Sequence, residues 1–375
     1  MPDTTQSRPP EQESGRRRRG RSSRGVRARA WAAGLAVLAG IAVPLAATSP
    51  ATAASADAPG FEAFVVNHGA NTVSVVNTWY PSIIHTIDVG KAPQNVVVAP
   101  DGAHAYVTNS GDRTVSVIDT ATDSVTKTID VGKNPQGLAI SPDGSRLYVV
   151  NHGSGTVTVI DTATDSVIGS PIPVGSNPYD VAFAHYGDFA YVTNFGSGYK
   201  HQGTVSVIDT QDNKVIGTPI TVGHGPWGVA VSPDLSRVYV TNSLDGTVSV
   251  IDVATAKVIA TVNVGGASPQ TVATTPVGNL AFVTKHNGHS VSVILDYSNP
   301  PKVLSNVRVG RSPQGMAVGL GGARLWVANS ESNSLSEIDT SGTTFPVLTT
   351  LKGFNDPTGM AMGPYQGTAP NAPAR

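Results

Sequence analysis

No cysteine occurs in the 375 residues, which excludes a disulfide framework, a zinc–thiolate site and a cysteine nucleophile. Any metal would have to rest on histidine and carboxylate ligands. Equally absent are the G-x-S-x-G elbow of serine hydrolases, the phosphate-cradling P-loop and the H-E-x-x-H zinc motif, so no standard catalytic signature assigns a reaction. Charge is scarce, at 14% of residues, whereas glycine (40) and proline (27) abound; that balance suits many short strands joined by tight turns better than helices. The length is compatible with two average domains or one large β domain and does not choose between them.

The formal net charge of -1 hides a segregation. Nine of the 25 Lys and Arg but only three of the 26 Asp and Glu lie in the first 55 positions, which leaves 16 basic against 23 acidic residues beyond them, a net of about −7. A body that acidic argues against binding to a phosphate backbone, so nucleic acid is not expected as a partner.

The N-terminal arginines, Arg16 to Arg19 followed by Arg21, Arg24, Arg27 and Arg29, precede an Ala-rich apolar run from Ala30 to Ala47. Small residues follow, with Ala51-Thr52-Ala53 and Ala54-Ser55-Ala56. Basic, apolar and small-residue segments in that order predict a secretory signal peptide over residues 1–56, cleaved after Ala53 or Ala56. The apolar run touches the lower limit for a spanning helix, but it is weakly apolar, contains Pro44 and two glycines, and leads into an Ala-x-Ala site, all of which count against a retained membrane anchor. The expected product is a secreted or extracellular protein, free or associated with the cell surface. The paired arginines leave the export route open.

Beyond Gly60 the chain is almost wholly repetitive. Tyr106-Val107-Thr108-Asn109 returns as Tyr148 to Asn151, Tyr191 to Asn194 and Tyr239 to Asn242, with looser copies at Phe64 to Asn67, Phe282 to Lys285 and Trp326 to Asn329. A Val-Gly landmark closes successive units, its glycines (Gly90, Gly132, Gly175, Gly223, Gly265, Gly310 and Gly353) standing 42, 43, 48, 42, 45 and 43 residues apart. This period belongs to four-stranded propeller blades, and the alternation within each unit fits no helical repeat. In the unit Lys133 to Gly175 the strands are expected at Gly137 to Ser141, Arg146 to Asn151, Thr156 to Asp161 and Val167 to Val174, with Pro142-Asp143-Gly144 as a turn.

Six whole units follow, at 91–132, 133–175, 176–223, 224–265, 266–310 and 311–353. Residues 61–90 lack a first strand, and 354–364 supply only a first strand, so the two leftovers are expected to complete a seventh blade and close the ring. The expected fold is all-β, a seven-bladed propeller of four-stranded antiparallel blades. The YVTN, SPDG and SVIDTAT motifs together resemble the YVTN-repeat β-propeller family of exported proteins over essentially everything after Gly60. That resemblance implies a secreted or surface-associated propeller and no single activity; propellers of similar appearance include surface-layer proteins, lactonases and antibiotic lyases.

The repeated asparagines (Asn67, Asn109, Asn151, Asn194, Asn242 and Asn329) sit at strand ends, where Asn tolerates a left-handed backbone and bonds to nearby backbone. The aspartates of SVIDT read as Asx turns. Departures from the repeat are better site candidates. They gather on one face, formed by the loops between second and third strands and by the links between blades. Ser197 to Gly203 is an insertion carrying Tyr199, Lys200 and His201. His224 and Trp227 mark the link into blade four, and Lys285 replaces an asparagine just before His286 and His289. His68 and His152 occupy equivalent loops.

Gln94, Gln136, Gln270 and Gln314 follow the proline that opens a first strand, with Trp227, Tyr179 and Thr358 at the corresponding places. Together they predict a polar ring at the mouth of the central channel, able to bind a sugar or peptide or to hold ordered water. The histidines have no metal-binding spacing, and no glutamate stands beside them apart from Glu331 in blade six; neither a metal nor a cofactor is expected. The residues therefore point to an exported binding scaffold whose partner is a small molecule, a glycan or an envelope protein. The alternative is a lactonase- or lyase-like enzyme with a histidine-based site on the same face.

Overall fold

The computed structural model describes residues 61–184, 186–197, 202–276, 280–296, 300–319 and 321–364. The expected signal peptide, together with Tyr199, Lys200 and His201, lies outside the described residues. Backbone pairing sorts the strands into seven antiparallel sheets. Blade one runs outward from the axis as Pro93–Val98, His104–Asn109, Thr114–Asp119 and Ser124–Asp130, and the other blades repeat this order. The innermost strands, which begin at Pro93, Pro135, Pro178, Pro226, Pro269, Pro313 and Pro357, pack on one another in a closed ring.

The closing blade takes Pro357–Pro364 as its inner strand and Phe61–Asn67, Thr72–Asn77 and Ser82–Asp88 as the other three. Ala63 faces Met362 and Val65 faces Met360 in antiparallel register. The two ends of the propeller thus share one sheet, which removes the open edges that would recruit other strands.

In blade two the middle strands, Arg146–Asn151 and Thr156–Asp161, coincide with expectation. The inner strand starts earlier, at Pro135, where a missing N–H is harmless because the first position needs no donor. The outer strand is split into Ser166–Val167 and Ile172–Pro173, because Gly169 takes a left-handed φ of 64° and Pro171 cannot donate to the ladder.

The apolar core lies in the seams between blades. Phe64 and Val66 of the closing blade pack with Val96, Val107 and Ile118 of blade one, and Tyr148 and Val150 of blade two pack with Val181, Val192 and Ile208 of blade three. The polar letters of the YVTN repeat cross the same seams. The Tyr148 hydroxyl meets Asn213 Oδ1 of the next blade at 2.5 Å. The Thr108 and Thr193 hydroxyls donate to the carbonyls of Gln136 and Trp227, each at 2.7 Å, in the inner strand of the next blade.

Asparagine faces the other way, toward the blade before. Asn151 Nδ2 donates to Thr156 Oγ1 (3.1 Å) and Thr158 Oγ1 (2.8 Å) in its own blade, while its Oδ1 accepts from the N–H of Gly132 at 2.9 Å. The same acceptor contact joins Gly175 to Asn194 (2.9 Å) and Gly223 to Asn242 (3.1 Å). A Cβ on Gly132 would lie 2.5 Å from Asn151 Cγ, so the glycine is required by close approach of the carboxamide. The two landmarks of the repeat are two halves of one contact. None of these asparagines has a positive φ, contrary to expectation; left-handed residues stand instead just before inner-strand prolines, as at Asn134 and Asn177, both with φ 51°, and just before third strands, as at Asn71 and Asn333.

The aspartates do form Asx turns. Asp119 Oδ1 accepts from the N–H of Ala121 (3.1 Å) and Thr122 (2.8 Å).

Candidate functional site

The seven inner strands enclose a cavity of about 300 Å³. Gln94, Gln136, Gln270, Gln314, Tyr179, Trp227 and Thr358 all line it, so the repeated position after the opening proline does face the channel. Each inner strand carries an irregularity in its register just after that proline. In blade three Pro178 faces Asn194 but Val181 faces Val192, which leaves one extra residue between them. A bulge of this kind re-aims side chains, and residues at both the second and the third strand positions consequently reach the channel, Tyr179 and Asp180 among them.

The glutamines are tethered from the loop face. Gln94 Nε2 donates to Ser110 Oγ at 3.2 Å and Gln314 Nε2 to Ser330 Oγ at 3.3 Å, whereas Gln136 Nε2 donates to Asn134 Oδ1 at 2.8 Å. Each retains a carbonyl oxygen without a hydrogen bond among these contacts. Gln270 is buried.

At the third strand position stand Asn95, Gly137, Asp180, Gly228, Thr271, Gly315 and Gly359. Asp180 is the one charged side chain among the described residues that line the cavity. Its Oδ1 accepts from the N–H of Val181 (2.9 Å) and its Oδ2 from that of Val229 in the next blade (3.2 Å). Gly137 makes room for it: a Cβ there would come 2.4 Å from Asp180 Oδ1. Removal from water lifts the Asp180 carboxyl to about 6, the two backbone donors opposing that rise.

A raised carboxyl pKa means that the folded state holds the proton more tightly than the unfolded chain. The associated stability is fully present near pH 4 and is lost as pH rises through about 6. The stability of Asp180→Asn relative to the parent is therefore expected to rise between pH 4 and pH 7, by ~2 kcal/mol, from a starting value at pH 4 lowered by the loss of the Val229 N–H bond, which an amide nitrogen cannot accept. Thermal melts of both proteins across that interval check it, and a pH-independent difference would refute it. Asn95 shows that the fold accepts the amide, because its own Oδ1 accepts from Val96 N–H at 2.9 Å in blade one.

Beside Asp180 the channel mouth is aromatic. The rings of Tyr179 and Trp227 lie 3.6 Å apart between centroids and are inclined by 33°. His152 meets Tyr179 edge-on at 5.1 Å, and Phe195 stands 6.4 Å from it. His152 is itself held by the carbonyl of Pro178 at 3.1 Å, and burial keeps its imidazole below the usual histidine range.

The remaining candidates lie outside the channel lining. His224 Nδ1 pairs with Asp245 at 3.0 Å, and the same carboxylate accepts its backbone N–H at 2.7 Å. His289 has a left-handed φ of 50°, and its Nδ1 accepts from Ser312 N–H at 3.3 Å. Burial lowers the His286 pKa, with Glu331 and Asp356 acting in the opposite direction.

His224 and His289 thus have separate partners, whereas His286 Nδ1 is buried without a hydrogen bond and the ring feels the neighbouring His289. Among the described residues no group of three or more His, Asp and Glu is placed to hold a metal ion. Lys285 is turned into the seam between blades four and five. It is buried, and its ammonium donates to the Val264 carbonyl (3.2 Å) and to Asn306 Oδ1 (2.7 Å). It fills the space of the asparagine it replaces.

Comparison with known proteins places these features in a wider context. Residues 101–194 match the family model of the YNCE-like β-propellers. No curated protein matches. Among solved structures, the chain is similar to Kuenenia stuttgartiensis hydrazine synthase, with a TM-score of 0.69 and 22% identity over 79% of this chain and 99% of that one. It is also similar to a functionally unknown protein from Desulfotomaculum acetoxidans, with a TM-score of 0.70 and 17% identity over 80% and 98%. A third similar structure is the dihydro-heme d1 dehydrogenase NirN in complex with DHE, with a TM-score of 0.58 and 15% identity over 80% and 74%. At such identities the likeness is one of fold. The closed ring of seven sheets and the matched segment agree: the chain is a seven-bladed β-propeller that matches the YNCE-like model over residues 101–194, consistent with the YVTN-repeat resemblance.

Proposed function

We propose that this protein is an exported binding scaffold whose ligand, a small molecule, a glycan or a segment of an envelope protein, enters the channel mouth on the loop face. The observation that supports it most is the convergence of four glutamines with the Tyr179–Trp227 pair on a single cavity of about 300 Å³. Sites of this kind fix orientation with a few polar groups and gain affinity from aromatic surface. The export part of the reading rests on the basic, apolar and small-residue order of residues 1–56. The enzymatic names borne by two of the similar structures do not transfer, because a shared propeller carries no reaction with it.

Trp227→Ala is expected to weaken ligand binding by about tenfold or more while leaving the melting curve cooperative, as is usual for a central aromatic contact. Surface plasmon resonance against wall glycans, peptides and envelope proteins checks this; if no binder depends on Trp227 or His224, the reading is wrong. The His224–Asp245 pair favours a second reading, a lactonase- or lyase-like enzyme, since a carboxylate orients an imidazole for acid–base chemistry. Lactone turnover that disappears in His224→Ala would select it.

A further inference from the structure

We propose that the channel mouth takes a ligand bearing a cationic amine, its positive charge lying between the Asp180 carboxylate and the rings of Tyr179 and Trp227. This deepens the binding reading above and rests on it. Among the described residues Asp180 has no cationic side chain beside it in the lining, and the donors that reach its carboxylate are two backbone N–H groups. An ionised carboxylate offers about four acceptor sites, so two backbone bonds leave capacity for a donor. Burial without a counter-ion disfavours ionisation, as its raised pKa of about 6 reflects, and a bound ammonium would supply the missing charge.

The flanking chemistry selects an ammonium over a metal ion. Calcium or magnesium would demand six or so oxygen ligands, yet the third-position neighbours of Asp180 are Gly137 and Gly228, which have no side chain. One carboxylate and one outer face of the stacked Tyr179–Trp227 pair are sufficient for an ammonium, which is attracted to ring faces within about 6 Å. The glutamine carbonyls would accept hydrogen bonds from the rest of the ligand. The excess of acidic over basic residues beyond position 55 favours approach of a cation to the same body.

Calorimetric titration of the purified protein with choline and glucosamine, beside the neutral N-acetylglucosamine and glucose, tests this. At about pH 7 the two cations bind, and in Asp180→Asn their affinity falls by about tenfold or more. At about pH 5 it also falls in the parent, because the carboxyl is then protonated. The other titratable groups at the site, among the described residues, are Tyr179 on the same strand, His152 of blade two, whose imidazole is kept by burial below the usual histidine range, and His68 of the closing blade, whose Nδ1 lies 3.2 Å from Gln94 Nε2.

Absence of cation binding, unchanged cation affinity in Asp180→Asn, or equal affinity for glucosamine and N-acetylglucosamine would each overturn the inference. A neutral ligand lost in Trp227→Ala but retained in Asp180→Asn would also overturn it, while the scaffold reading would stand. Failure to find any Trp227-dependent ligand would remove both. Asn95 at the equivalent position guards against misfolding as an explanation.

Discussion

Removal of residues 354–375 is expected to abolish cooperative folding of the propeller. The loss begins with side chains: Phe354 and Met360 are buried in the seam with Trp326, Ala328 and Leu335 of blade six, and each contributes about 1.5–3 kcal/mol through burial. Their removal also exposes the backbone of Phe61–Asn67, which pairs with Pro357–Pro364 along its length, at a net ~1 kcal/mol for each lost hydrogen bond. The sum approaches the 5–15 kcal/mol that holds a typical domain together. The new edge would be free to recruit other chains. Differential scanning calorimetry and size-exclusion chromatography report the outcome: no cooperative transition and recovery in aggregates, relieved by adding a peptide of residues 354–364. A truncated chain that melts within a few degrees of the parent would show that ring closure contributes little.

Gly315→Ala is expected to destabilise the protein by ~3 kcal/mol, at the upper end for overpacking. An added Cβ would stand 2.2 Å from the Thr358 carbonyl oxygen and 3.0 Å from Gly359 Cα. Both obstacles are backbone of the closing inner strand, so no rotamer change relieves the contact, and the ring itself must widen. Gly342→Ala serves as the control, since nothing lies within 4 Å of its added Cβ. Urea titration distinguishes them; equal midpoints would mean that the inner strands yield to a methyl group with ease.

The blade count and strand order were legible in the sequence because a repeat converts local pattern into global topology: Arg146–Asn151 and Thr156–Asp161 stand where alternation placed them. The split outer strand was not, since four residues around Gly169 and Pro171 stand against two on the partner strand, a mismatch that shows only once the two are paired. The glutamine ring could be read from its constant offset after proline, and it lines the channel. Asp180 escaped notice because an aspartate near a strand start reads as turn chemistry, and only the register irregularity after Pro178 aims it inward. Lys285 stood out for replacing a repeated asparagine, yet its ammonium is buried in the seam, held by Val264 of blade four and Asn306 of blade five. Novelty at a repeated position marks a change of partner as readily as a site.

The asparagine that clasps the glycine of the blade before it carries an implication for how such rings grow. Gene duplication copies segments of sequence, whereas this contact spans two sheets: Gly132 ends one blade and Asn151 belongs to the next. A segment cut at the sheet boundary would separate glycine from asparagine, and an insertion would keep its fit only if both flanks already carried the complementary half. At the junction between blades four and five Lys285 has taken the place of asparagine, nothing lies within 4 Å of a Cβ on Gly265, and the seam is crossed instead by the Lys285 ammonium on the Val264 carbonyl at 3.2 Å, so the matched pair has there been exchanged for another. The heritable module is therefore the seam, and a blade is what remains between two of them.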